Sequence, residues 1–193
     1  MSPLRTEWTM TQAARMLGEP QHRLIYLCEK GVVKPDLRSA EGRGTSRGFS
    51  RRNLLEFSVA LHLRELQIPA QLIGGLLGAL RELEARLAAE PPGFSVPDDL
   101  RPSTSPDLRL VIGDGRLYFS LVTSGGEPRL FGGSLLPELG AKPAAPLQEL
   151  AGAAWDLEPI GPHDPASHAD TRRSYTTLEV CITHLARDLP LGI

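Results

Sequence analysis

Cysteine is nearly absent from this chain of 193 residues, which holds only Cys28 and Cys181. Two thiols exclude a disulfide framework, and they exclude a zinc site built mainly from thiolates, which needs three or four sulfur ligands close together. A reducing, cytoplasmic setting is the expectation. Aromatic residues make up 5% of the chain, too few for ring platforms that stack bases or sugars. Long apolar runs are missing too. The longest, Ile68 to Leu80, is interrupted by Gln71 and three glycines and falls short of the roughly 18 residues that suggest a membrane span. The N-terminus shows no basic-then-apolar signal pattern, so neither export nor membrane insertion is expected.

What is present suits a folded globular chain of one domain or two small ones: 41% apolar and 23% charged residues, with 19 glycines and 17 prolines that call for long turn-rich stretches. The net charge of −2 argues against nucleic acid only until it is divided. A helical pattern gives way at Glu90 to Pro91, Pro92 and Gly93. Residues 1–90 carry 13 basic and 10 acidic groups, residues 91–193 carry 8 and 13, and 13 of the prolines fall in the second half. Residues 15–52 alone hold nine basic groups against four acidic. A basic module, residues 1–90, joined through a Pro/Ser/Asp-rich linker over 91–107 to an acidic domain over 108–193 is the simplest division.

In the basic half, Thr9 or Thr11 can cap a short helix with Ala13, Ala14 and Leu17 on one face, ended by Gly18. Pro20 suits the first turn of a second helix, Gln21 to Lys30, whose apolar face is Leu24, Leu27 and Cys28; Gly31 stops it. The short Gly-containing turn between the two makes a helix-turn-helix, with a second helix of a size to enter a major groove about 12 Å wide. The arginine- and glycine-rich stretch from Asp36 to Ser50 reads as a hairpin wing. Ser50 then caps a third helix, Arg51 to Leu66, with an apolar stripe of Leu54, Phe57, Leu61 and Leu66. A fourth helix begins near Pro69 and carries Ile73, Leu76, Leu80, Leu83 and Leu87 at alternating spacings of three and four, a two-heptad coiled-coil seam.

In this order the parts resemble the winged helix-turn-helix domain of the MerR (mercury-resistance regulator) family of bacterial transcription factors. The resemblance runs over residues 9–87. It rests on Met10-Thr-Gln-Ala-Ala-Arg-Met-Leu-Gly18, on the exit Glu29-Lys-Gly-Val-Val-Lys-Pro35, on the wing end Ser46-Arg-Gly-Phe-Ser50, and on the bend Leu63-Arg-Glu-Leu-Gln-Ile-Pro69. The chain departs from the family at Ile25 and Leu27, where the family places arginine and tyrosine, and in the longer basic tip Arg43-Gly-Thr-Ser-Arg-Gly48. The resemblance implies a homodimer formed through the fourth helix by Ile73, Leu76, Leu80, Leu83 and Leu87, bound to double-stranded DNA. Metal-sensing members place cysteines after that helix, and none stands there, so no metal is expected.

For DNA contact, Gln21, His22, Arg23 and Tyr26 project from the open face of the second helix, where arginine can read guanine edges and tyrosine can donate to phosphate. Lys34, Arg38, Arg43, Arg47, Arg51 and Arg52 lie along the wing and at the start of the third helix, positions from which cations can clamp phosphates. Phe49 is read as wing packing and Cys28 as a small buried hydrophobe.

In the acidic half, Leu108 to Ile112 and Arg116 to Val122 flank Gly113-Asp-Gly115, a hairpin by alternation and by turn chemistry. Arg129 to Phe131 adds a short strand, a helix is expected near Leu147 to Ala154, and a strand over Thr177 to Ile182 leads to a helix His184 to Leu189 capped by Thr183. The fold class is therefore α+β. His163, Asp164, His168 and Asp170 form a ligand-like cluster whose spacing fits a polar loop better than a metal site. The chain offers no activated nucleophile and no phosphate-binding glycine loop, so neither enzymatic activity nor a cofactor is expected. The expected function is transcription regulation, with the C-terminal domain receiving RNA polymerase, another protein or a small-molecule effector. The alternative is a protein-interaction adaptor that keeps the winged scaffold without sequence-specific DNA readout.

Overall fold

The computed structural model describes residues 7–37, 47–91, 93–102, 106–113, 116–123, 129–134, 148–149 and 177–190. Helix α1 spans Met10–Met16 and is started by a capping box. The Thr9 hydroxyl accepts from the Gln12 amide at 3.4 Å, and the Gln12 side chain accepts from the Thr9 amide at 3.0 Å, which satisfies two otherwise orphaned N–H groups. Gly18 at φ 67° turns the chain into α2, Gln21–Glu29, which Pro20 precedes and Gly31 at φ 69° follows. Both glycines stand in the left-handed region that side chains resist. Ala13 and Ala14 of α1 and Leu24 and Leu27 of α2 are buried, while Leu17 and Cys28 are half-buried.

Helix α3, Arg51–Glu65, begins with a second capping box, here between Ser50 and Asn53. It is buried over most of its length, from Asn53 to Phe57, from Val59 to Leu61 and at Leu63. A helix with so many buried positions needs neighbours on several sides, and α2, α4 (Ala70–Ala88) and α5 (Ile182–Asp188) supply them. The expected stripe does not extend to Leu66, which is 45% exposed. The helix has ended at that point and Gln67, at φ 63°, swings the chain outward.

The described strands form one antiparallel sheet in the order β4-β3-β2-β1-β5. These strands are β1 Asp107–Gly113, β2 Arg116–Val122, β3 Arg129–Ser134, β4 Gln148–Glu149 and β5 Thr177–Cys181. The register sets Leu110 opposite both Val180 and Phe119, and Phe119 opposite Phe131. These four buried side chains make an apolar row across four strands. The sheet reaches the end of α4, where Arg86 lies over the Phe131 ring at 5.6 Å and Arg129 grips Glu90 at 2.7 and 3.0 Å. The fold is thus mixed α+β.

Four sequence expectations differ here. Residues 148–149 are strand rather than the helix expected near Leu147 to Ala154, and 150–154 lie outside the described residues. Thr183 does not cap α5, whose N-cap is Cys181. Its buried hydroxyl accepts from the Leu108 amide at 2.8 Å and donates to the Pro106 carbonyl at 3.0 Å, tying the helix to the start of β1. The segment expected as a bare linker carries a 3-10 turn, Asp98–Leu100, with Val96, Pro97 and Leu100 buried, because its few apolar side chains find the shared core. Finally, Ile73, Leu76, Leu80, Leu83 and Leu87, expected as a dimer seam, are each 5% exposed or less within the single chain. They belong to one buried cluster that also includes Leu110, Phe119 and Phe131 of the sheet. An apolar stripe packs against whatever apolar surface is nearest, and here the chain itself supplies it. Leu80→Ala should therefore cost about 2–5 kcal/mol in urea unfolding without changing the particle mass measured by light scattering.

Candidate nucleic-acid interface

Leu24 and Leu27 turn inward, so α2 presents its opposite side to solvent. Gln21 and His22 are exposed, Tyr26 is 40% exposed, and Lys30 stands with its ammonium 5.7 Å from the Tyr26 ring centroid. Gln21 accepts from the Thr11 hydroxyl at 3.3 Å, which links α2 back to α1. Arg23 donates from Nη1 to Glu19 Oε2 at 2.6 Å. His22, Arg23 and Tyr26 line one wall of an open groove of about 630 Å³, and Leu61, Arg64 and Glu65 of α3 with Gln67 of the following bend line the other. Arg64 donates to the Ile68 carbonyl at 2.9 Å. The α3 wall was not anticipated from sequence. Residues 61, 64 and 65 share a helix face by spacing, but only packing sets that face beside α2.

The stretch between Asp36 and Ser50 is closed at its foot by a polar cluster. The Asp36 carboxylate accepts from the Ser50 amide at 3.2 Å and from its hydroxyl at 2.5 Å. Asn53 Oδ1 accepts from the Asp36 and Ser50 amides at 3.1 and 3.4 Å, and its amide nitrogen donates to the Lys34 carbonyl at 2.9 Å and to Glu56 at 3.0 Å. Glu56, 1% exposed, takes two further bonds from Arg81 of α4 at 2.5 and 2.8 Å. Phe49 is buried edge-on to Phe57 and bridges to Trp8 through two backbone bonds of 2.9 Å.

This scaffold sorts the ten expected DNA contacts. Gln21, His22, Tyr26 and Lys34 are exposed and Arg23 is partly so. Arg38 and Arg43 lie outside the described residues. Arg47 is half-buried against α2, close enough to Cys28 for a hydrogen bond; burial pushes that thiol up to about 11 while Arg47 pulls it down. Arg51 donates to Asp98 at 2.8 Å, and Arg52 pairs with Glu84 through Nη2 and, at 2.6 Å, through Nε. Both arginines are thus engaged by acids of the chain itself, from partners that sequence spacing does not bring near. Glu84 also accepts from the Val96 amide at 3.2 Å, and burial, outweighing Arg52, holds its carboxyl above the ordinary value.

Among the described residues, no three His, Cys, Asp or Glu side chains gather as a metal site, and no helix is long and apolar enough to cross a membrane. The His163 to Asp170 cluster lies outside them. No protein-family model matches this chain, and no curated protein matches it significantly.

Three outcomes follow from the paired acids. Removing Arg81 leaves Glu56 charged and buried, so Arg81→Ala should cost about 3–5 kcal/mol. Arg109→Ala, at an exposed pair with Asp107 and Glu179, should cost below about 1 kcal/mol; urea unfolding measures both. For Glu84, a raised folded pKa means that the folded state holds the proton more tightly. Its contribution is full below the ordinary value of 4.5 and is lost as pH rises through the folded pKa. The stability of the wild type relative to Glu84→Gln should therefore fall as pH rises above the ordinary value of 4.5.

Proposed function

We propose that this protein is a MerR-type DNA-binding transcriptional regulator, with α1 and α2 acting as a helix-turn-helix and α2 entering the major groove. The observation that carries the reading is the open face of α2. His22, Arg23 and Tyr26 stand together on a helix whose other side is anchored by Leu24 and Leu27. That is the arrangement by which a recognition helix offers side chains to base edges while its scaffold stays rigid. The resemblance over residues 9–87 supports it, as does the excess of basic groups over residues 15–52. The arginine-rich stretch after Asp36 acts as a wing on the phosphates, and its clamped foot sets where it leaves the body. Asp36, Ser50 and Asn53 do that clamping. Arg51 and Arg52 are secondary, since each must leave an internal acid to meet a phosphate. The C-terminal sheet with α5 serves as the sensing or partner-binding part. A homodimer on DNA would need a surface other than the α4 stripe, which the chain occupies.

The adaptor reading draws on the same two internally paired arginines, which lower the charge left for DNA. Selection from a pool of random-sequence duplexes separates the two. A regulator enriches a defined sequence at low salt, whereas an adaptor enriches none. On the enriched duplex, Arg23→Ala should relax base preference by about 1–3 kcal/mol at one position. Arg47→Ala should weaken binding to all sequences alike and reduce the salt slope by about 1. Fluorescence anisotropy across a salt series reads both.

A further inference from the structure

Resting on that reading of α2, we infer that Glu19 is a positioning residue that sets the sequence specificity of Arg23. Glu19 lies in the turn before α2, one helical turn from Arg23, and its carboxylate receives Arg23 Nη1 at 2.6 Å. The acid is well fixed. Its amide donates to the Ala14 carbonyl at the end of α1 at 2.9 Å, Gly18 before it holds φ 67°, and Pro20 after it restricts its backbone to extended conformations. Its side chain is 18% exposed against 36% for the arginine, so the anchor is the more enclosed partner and the guanidinium the more open one.

The chemistry of guanine recognition gives this contact a purpose. Arginine reads guanine through two N–H groups directed at once to O6 and N7, which demands one orientation of a planar fork on a long flexible stem. A guanidinium carries five N–H donors. The Glu19 contact uses Nη1, restricts where the fork can lie, and leaves donors for a base edge. Arg64, Glu65 and Gln67 face the same side chain across the open groove. The acid also has a cost. A carboxylate beside the DNA face repels phosphate, so Glu19 trades general affinity for selectivity. An exposed pair serving helix stability alone contributes little and has no bearing on base choice.

The test uses the full chain, the duplex enriched from the random pool, and duplexes in which single guanines of that site are replaced. Glu19→Gln should keep the fold by thermal unfolding, raise affinity for unrelated duplex DNA, and reduce discrimination at one guanine roughly tenfold. In an Arg23→Ala background the same change should add no further loss of discrimination, because the acid acts through the arginine. Unchanged discrimination in Glu19→Gln overturns the inference while leaving the DNA reading intact, and so does a loss that persists without Arg23. If the wild-type chain enriches no sequence at all, the DNA reading fails and the inference falls with it.

Discussion

A single carboxylate, that of Glu56, constrains much of the helical half. It sits in the middle of α3 at 1% exposure, where an uncompensated charge would cost several kcal/mol. The structure compensates it with both donors of the Arg81 fork and the Asn53 amide. Meeting that requirement fixes how α4 lies on α3, because the guanidinium must arrive from α4 in one plane. It also fixes Asn53, which is thereby oriented to hold the Lys34 carbonyl and the amides of Asp36 and Ser50. The geometry from which the arginine-rich stretch departs is therefore set by a charge deep in the helix beneath it.

An acid of α4, Glu84, extends the same logic to the other half of the chain. It holds Arg52 at the start of α3 and the Val96 amide beyond the end of α4. Arg51 reaches Asp98, and Arg129 of β3 grips Glu90. The basic half and the acidic half are thus joined through charges of opposite sign as well as through a shared core. Arg51 and Arg52 serve this internal junction, and among the described residues α2 keeps an open face with Lys30, Lys34 and Arg64 beside it. In the functional reading, specificity concentrates on one helix and general electrostatic attraction on the stretch beyond Asp36. Affinity for DNA then depends on fewer cations than the raw count of arginines implies.

Local signals in the sequence determined a good deal. Thr9 with Gln12 and Ser50 with Asn53 mark helix starts through bonds made within four residues, and Gly18 and Gly31 mark helix ends through backbone freedom alone. The β1–β2 hairpin was legible because alternation and the glycines around Asp114 act over neighbouring residues. The spacing of Leu24 and Leu27 was enough to assign which side of α2 faces inward, and so which side carries Arg23 and Tyr26. Tertiary structure decided whatever depended on partners distant in the chain. Periodicity shows that the α4 stripe must be buried, yet it does not distinguish a second protomer from the core of the chain itself. The charge count shows that Arg51 and Arg52 are cations, yet not that Asp98 and Glu84 reach them. Thr183 has the chemistry of a cap and instead joins α5 to β1, because Pro106 and Leu108 offer its hydroxyl both an acceptor and a buried donor. Short-range hydrogen bonding and periodicity are written in neighbouring residues, whereas the pairing of charges and the covering of apolar faces are settled only when the whole chain has packed.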